Sequence, residues 1–493
     1  MKINHISHKL NLILMGFGLW LIYVQPLPDL GLPTFDATYN AHIIKQITDG
    51  NWANLYNHAS PTFFVLFAPL YWLWPKFVFL QAFNAGIMVA AVVAWAIFWT
   101  HWSKWQAWQI GAFVGAVGLS PVLVHNARGF SIEALSLVCV AVVLHYFLVS
   151  IRQASGYWKA AFWASVGLTI NYKLLLVWGI FLFIFFIQKE KQITVKQILS
   201  ILIAASFPIL AAMCLGYAVG LKFWLYPAVL YHVLLRPEAN AAGVSLALGH
   251  DWIFYFKYFW QFDNLITLLF ILAGIFTFFF HKNRWAKLRN ADVESIVLLI
   301  IVLYFTEICL LPKAPRILLP LCTLSVGFGL SKIQNLFSKK LVLKYATGLL
   351  CVSWSAVATW QNIRPYTHSN YAKAADILPK NTKNELVSTV GINAFQYLPE
   401  ANIHFAFEDS AAQHYEYLLL DDYRFLANIP TAQRFNTKQY TLLGQWPEPS
   451  LGSAILWLEH CEFSGLNFQQ TLHLRDSICS KPFQVQLWKK KKI

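Results

Sequence analysis

Apolar runs of membrane-crossing length recur from residue 10 to residue 360, centred near residues 18, 88, 115, 141, 165, 181, 208, 270, 302, 323 and 352. At ~20 residues for each ~30 Å hydrocarbon core, they predict about eleven spans. A bilayer gives the backbone no water to bond, so the spans must be helices. Composition agrees: the chain is 57% hydrophobic and 12% charged, against roughly a quarter charged in a soluble protein. The fold class expected is mainly α, a polytopic helical membrane domain over 1–362. The lipid bilayer is thus the first partner.

Where the charges fall sets the orientation. With the N-terminus cytoplasmic, Lys2, Lys9, Lys104, Arg152, Lys159, Lys189, Lys191, Lys196, Lys282, Arg284, Lys287, Arg289, Lys332, Lys339, Lys340 and Lys344 all lie on the cytoplasmic side. That is the positive-inside pattern, and it accounts for the net charge of +15 without nucleic acid. The first span is followed by Gln25-Pro26-Leu27-Pro28-Asp29, which offers no small-residue cleavage site, so it reads as a retained anchor. The localisation expected is a multi-pass protein of the cell (inner) membrane. Pro61 to Trp74 is too short for a span and reads as an interfacial helix within a first outer loop of 27–76.

From about residue 363 polar residues become frequent, and Leu386 to Val390, Ile403 to Phe407, Tyr417 to Leu420 and Ile455 to Leu458 read as short strands. With helix-like stretches between them, 363–493 is expected to be a soluble extracytoplasmic α/β domain. Five of the seven cysteines lie in apolar stretches; the other two, Cys461 and Cys479, can pair as a disulfide if the domain faces an oxidising compartment. If the domain faces a reducing one, they are thiols.

Charges on the outer side need a separate account. Asp36 lies just after the first span, where Thr34 makes an N-cap and puts Asp36 in a first turn with Tyr39 and Asn40 on its face. It can simply complement the helix dipole, worth ~0.3–1 kcal/mol. Asp49-Gly50-Asn51 reads as a helix stop. Arg128, Lys173, Arg236, Lys313 and Arg316 are basic residues on the side the orienting rule leaves poor in them, although snorkelling to headgroups is open to Lys173 and Arg316. Glu133, in the first turn of a span, needs a cationic partner, and Arg128 is the nearest in sequence. A carboxylate that can take a proton from a hydroxyl, beside cations that can stabilise a phosphate leaving group, suits transfer from a lipid-linked phosphosugar. No His-x-x-x-His or Cys-x-x-Cys metal motif appears, and no cofactor is signalled.

These segments, in this order, resemble the GT-C superfamily of polyprenyl-phosphate-sugar-dependent glycosyltransferases, which includes protein mannosyltransferases and lipid A aminoarabinose transferases. The matching landmarks are Asp36, Tyr39 and His58-Ala59-Ser60-Pro61, then the turn with Arg128 and Glu133, then Lys173, then Lys313 to Pro320. The resemblance implies Asp36 as general base, Tyr39 and His58 at the substrate, and Arg128, Lys173, Lys313 and Arg316 as phosphate contacts, with Glu133 supporting Arg128. It also implies a polyprenyl-phosphate donor of mannose or a related sugar, and a lipid, protein or glycan acceptor. The paired acidic motif of many members is here a lone Asp36, which suits a catalytic base but does not supply a metal site that needs two carboxylates; if a second carboxylate is needed it must come from elsewhere, and Glu133 or Glu307 is the first place to look. A transporter or flippase of lipid-linked sugars is the alternative, and it predicts charges in mid-span and broken helices near the midplane.

Overall fold

The computed structural model describes residues 2–27, 35–188, 194–235, 251–280, 283–311, 313–363, 370–378, 386–388, 403–405, 416–421, 437–447, 453–480 and 484–491. Thr34 and Arg236, named above, lie outside them.

Each expected span centre lies in a helix. In chain order the helices are α1 (Lys2–Val24), α2 (Phe35–Thr48), α3 (Pro61–Leu73), α4 (Phe77–Ser103), α5 (Ala107–Gly118), α6 (Pro121–Arg128), α7 (Glu133–Gln153), α8 (Tyr157–Ile170), α9 (Leu174–Ile187), α10 (Val195–Ala218), α11 (Leu225–Leu235), α12 (Phe254–Gln261), α13 (Leu265–Phe280), α14 (Arg284–Arg289), α15 (Val293–Leu310), α16 (Leu319–Leu336) and α17 (Leu341–Ile363). Among the described residues, six units are long and apolar enough to cross a membrane: α4, α7, α10, α15, Pro315–Leu336 and α17. Counting the bent pair α5 and α6 as one span makes seven. Of the remaining expected spans, the first falls on α1, apolar over Leu10–Val24, and the others fall on shorter helices, α8 and α9 being 14 residues each. At ~1.5 Å per residue such a helix covers ~21 Å, less than the hydrocarbon core.

The faces turned outward confirm the solvent. Phe17, Leu202, Phe207, Phe276, Leu349 and Val357 each expose more than half of their surface, which water would penalise and lipid does not. This is a membrane protein. Inside, α4, α5, α7, α15 and α16 share one large core built around Trp95, Trp99, Phe113 and Phe147. A second core lies at one end of the bundle, where α2 and α3 bury Ile43, Ile44, Phe63, Phe64 and Phe67 against Phe130 and Tyr226. α3 is short, 13 residues, and it ends at the exposed Trp72 and Trp74.

Beyond α17 come α18 (Tyr371–Ile377), β1 (Leu386–Ser388), β2 (Ile403–Phe405), β3 (Tyr417–Asp421), β4 (Tyr440–Pro447), α19 (Ala454–Glu459), α20 (Cys461–Ser464), α21 (Phe468–Cys479) and β5 (Gln484–Lys490). The strands form one sheet in the order β2-β1-β3-β5-β4, parallel on the β1 side and antiparallel on the β5 side. This is the expected α/β domain with one correction: Ile455 to Leu458 is helical, not a strand. A four-residue apolar run carries no usable periodicity, and here it is buried all round. The Cys461–Cys479 disulfide is not formed. Cys461 Sγ lies 3.1 Å from Thr471 Oγ1, while Cys479 ends the same helix, ~12 Å farther along its axis.

Packing is close where α16 crosses α4. A Cβ on Gly327 would sit 1.9 Å from Trp99 Nε1, which donates to the Thr323 carbonyl at 3.2 Å. Gly327→Ala must displace that indole, and a loss of ~1–3 kcal/mol is expected; thermal unfolding in detergent measures it, and an unchanged melting temperature refutes the packing argument.

Candidate active site

The helix ends at one face of the bundle converge on Arg316, which lies in the short 3-10 turn Pro315–Leu318 between α15 and α16 and is only 9% exposed. The turn is held from several sides. Tyr304 donates its hydroxyl to the Ile317 carbonyl at 2.7 Å, and Tyr255 donates to the Ala314 carbonyl at 3.4 Å. Lys313 Nζ donates to the carbonyls of Ile308, Cys309 and Leu311 at 3.1, 2.6 and 2.5 Å. Its three protons thus cap the end of α15, where a cation also complements the helix dipole. The Lys313 ammonium thus fixes the corner that presents Arg316.

Three carboxylates from distant parts of the chain meet that guanidinium. Asp36 Oδ2 lies 3.3 Å from Nη1, Glu133 Oε1 lies 3.5 Å from Nε, and Glu459 Oε2 lies 3.8 Å from Nη1. Asp36 comes from the first turn of α2, Glu133 from the first turn of α7, and Glu459 from the end of α19 in the C-terminal domain. Their side chains are 32%, 13% and 1% exposed, so Asp36 is the acid open to a substrate and Glu459 is sealed. Glu133 therefore pairs with Arg316, not with Arg128 as its sequence position suggested. Arg128 turns toward the end of α1, where its Nη2 donates to the Ile22 carbonyl at 2.9 Å.

The turn before α7 explains how Glu133 gets there. Phe130 has a left-handed φ of 53°, which costs a side-chain-bearing residue energy, and its ring is buried among Phe63, Phe67 and Phe77. His58 has the same kind of strain, with φ 49° and ψ 25°; the bend brings its ring edge-on to Tyr39, at 6.4 Å between centroids. His58 is close enough for its charge to act on Asp36. Lys173 is close enough for its charge to act on Asp36, and Tyr172 close enough to act on Arg316. The Asn171 side chain pins that corner, accepting from the Lys173 amide at 3.0 Å and donating to Ser136 Oγ at 3.1 Å.

Electrostatics separate the acids. Burial opposes ionisation of Asp36, but Arg316, His58, His460 and Lys173 outweigh it and hold its carboxyl below the usual range. Burial raises Glu459 to about 8 against the pull of Arg316, so it is mostly protonated at neutral pH. Burial also lowers His460 to about 4 despite Asp36, and lowers His58, so both imidazoles are neutral there. One anionic base beside one neutral acid is a division of labour produced by environment. Among the described residues no group of three or more His, Cys, Asp or Glu side chains is arranged to hold a metal ion. The positive charge at the junction is Arg316.

The sequence reading missed Glu459 and His460, which follow an apolar run with no motif around them. The expected second carboxylate is Glu133 with Glu459; Glu307 is not among the acids on Arg316. Two outcomes follow. Replacing Arg316 with Met leaves buried carboxylates without their counterion, an expected loss of ~3–5 kcal/mol in unfolding measurements. The folded state binds the Glu459 proton more tightly than the unfolded chain does, so this residue makes stability fall as pH rises from about 4.5 to about 8. Glu459→Gln should flatten that decline in a melting series, and an unaltered slope would overturn the assignment. Asp36, with its lowered value, acts oppositely, losing stability as pH drops through the carboxylate range.

No protein-family model matches the sequence, and no curated protein matches it significantly. Solved structures do. The archaeal oligosaccharyltransferase AglB from Archaeoglobus fulgidus, in complex with an inhibitory peptide and a dolichol-phosphate, superposes with a TM-score of 0.52 at 11% identity, over 89% of this chain and 73% of that one. The Archaeoglobus fulgidus oligosaccharyltransferase with Zn and sulfate gives 0.52 at 13%, over 87% and 71%. ArnT from Cupriavidus metallidurans in the apo state gives 0.52 at 10%, over 98% of both chains. At such identities the likeness is one of fold alone: the chain folds like these polytopic membrane proteins.

Proposed function

We propose that the chain is an integral membrane glycosyltransferase that moves a sugar, mannose or a related one, from a polyprenyl-phosphate donor to a hydroxyl acceptor on a lipid, protein or glycan. The observation that carries this reading is Asp36, partly open and ionised, 3.3 Å from a buried guanidinium. The GT-C fold supports it, as does the dolichol-phosphate in the AglB structure. The skewed distribution of lysine and arginine supports an outer, periplasmic site with the N-terminus in the cytoplasm, in the cell inner membrane.

In this mechanism the acceptor hydroxyl lies against Asp36, which takes its proton as the oxygen attacks the anomeric carbon. The bond from that carbon to the phosphate oxygen breaks, and polyprenyl phosphate departs with the electron pair. Arg316 and Lys173 meet its developing charge. Tyr39 and His58 line the approach to Asp36, and Glu133 keeps Arg316 oriented. The Asp36 and Arg316 pairing also regulates basicity. With no donor bound, the guanidinium holds Asp36 too acidic to be a strong base. A phosphate that draws the guanidinium toward itself relaxes that hold, so Asp36 becomes a better base when the donor is present.

Asp36→Asn is the direct test. Transfer from labelled polyprenyl-phosphate sugars should fall by ~10²–10⁴-fold in kcat, with donor binding retained and the protein still folded. Full activity in that variant would remove Asp36 from the base role. Binding of such donors with no turnover in the wild type would favour the transporter reading instead.

A further inference from the structure

Arg152 ends α7 some ~28 Å along the helix axis from Glu133, so it lies at the face of the bundle opposite the Arg316 cluster. A linked group of rings and cations gathers there. The His145 ring centroid is 5.3 Å from that of His101 and 6.0 Å from that of Trp102, both on the last turn of α4, and the Arg152 guanidinium sits over the Trp102 ring at 4.9 Å. Next in the chain, Tyr146 stands 5.6 Å from His145, and the Lys159 ammonium of α8 lies 5.9 Å from the Tyr146 ring and 5.6 Å from that of Trp158. Gln197 of α10 holds the turn between Arg152 and Lys159, donating to the Ala154 carbonyl at 3.0 Å.

These cations lack an anion. From residue 77 to residue 188 the sequence holds one acid, Glu133, at the far end of α7. Arg152 and Lys159 make no ion pair and no side-chain hydrogen bond among the described residues, and the buried Trp102 Nε1 has no acceptor among them. Other lysines of the same face are satisfied: Lys332 pairs with Glu294, and Lys344 Nζ donates to the Ser338 carbonyl at 3.1 Å. The orienting rule for membrane proteins explains basic residues at such a face, but not their stacking on rings. A guanidinium stacked on an indole keeps its edge donors free, which is how arginine meets a phosphate. The surface alongside is apolar and turned outward, with Ile97 and Trp158 both exposed. A phosphate carried on an apolar body, at the face of a membrane protein, is a lipid headgroup.

We propose that the ends of α4 and α7 with the start of α8 form a binding site for the phosphate of an anionic phospholipid, Arg152 and Lys159 supplying the charge and Trp102, Tyr146 and Trp158 the ring platform. The site is separate from the Arg316 cluster, so it stands whatever reaction that cluster performs.

Native mass spectrometry of the full chain, titrated with phosphatidylglycerol or with phosphatidylcholine, tests this. The wild type should retain phosphatidylglycerol in preference, because the choline ammonium is repelled where Arg152 and Lys159 attract the phosphate. Equal retention of the two lipids overturns the proposal. Arg152→Gln should weaken phosphatidylglycerol roughly fivefold to tenfold and leave phosphatidylcholine unchanged, and Lys159→Gln should act in the same direction. Both side chains are exposed, so the variants keep the fold. Lys339→Gln removes the same charge from the exposed turn between α16 and α17, at the same face, and should change nothing. Equal weakening by Lys339→Gln marks general attraction to a basic surface and overturns the site. Excess inorganic phosphate at matched ionic strength separates the two sources of the group. Phosphatidylglycerol that stays bound supports a lipid site, and its displacement by the free ion overturns one.

Discussion

A guanidinium buried where helix ends and the C-terminal domain meet is the interaction on which that end of the structure depends. Taking Arg316 out of water costs several kcal/mol unless its charge is met, and Asp36, Glu133 and Glu459 meet it at 3.3–3.8 Å. Each comes from a separate element, so the ion cluster joins the first outer loop, the start of α7 and the C-terminal domain. The surroundings are spent on holding the centre still. Lys313 caps α15, Tyr304 and Tyr255 grip the turn, and the left-handed bends at His58 and Phe130 are held by packed rings. Strain of this kind persists only where packing over-determines it.

The C-terminal domain is part of this centre and is not simply carried by the membrane domain. Ser453 Oγ donates to the Asn362 carbonyl at 3.3 Å, and the Phe468 amide donates to Asp251 Oδ2 at 3.0 Å, with the Phe468 ring against Phe254 and Phe262. These contacts set α19 over the Pro315–Leu318 turn and seal Glu459 there. A protonated Glu459 has a physical consequence: Arg316 is balanced by two anions at neutral pH, not three. Its charge is thereby less fully neutralised, which suits a group that must also attract a phosphate.

Below the outer face the requirements change, because lipid offers neither hydrogen bonds nor screening. Some polar side chains in the core find partners within the protein, as where Asn264 Nδ2 donates to Ser355 Oγ at 2.6 Å and Asp263 accepts from the Val122 amide at the start of α6. The second contact ties α6, and through it Arg128, to the loop before α13. Such buried pairs fix how the helices are rotated, which apolar packing alone leaves loosely specified.

By itself the sequence determined the solvent and the class of fold, because runs of ~20 apolar residues and sparse charges admit few alternatives to a helical bundle in a bilayer. It also marked most of the centre: Asp36, Tyr39, His58, Glu133, Lys173 and Arg316 stood out as charges or turn residues beside lipid, where such groups are costly. Only the tertiary structure decided who pairs with whom. Arg128 and Glu133 are five residues apart, yet the Phe130 bend sends them to different partners. Lys313 and Arg316 are three apart, yet one caps a helix and the other carries the site. Glu459 was invisible because an acid after four apolar residues looks ordinary until folding brings it 3.8 Å from Arg316, across more than a hundred intervening positions. Sequence spacing governs contacts within one helix turn, and the acids and cations of this site meet across several elements, where loop geometry and packing, not local pattern, set the distances.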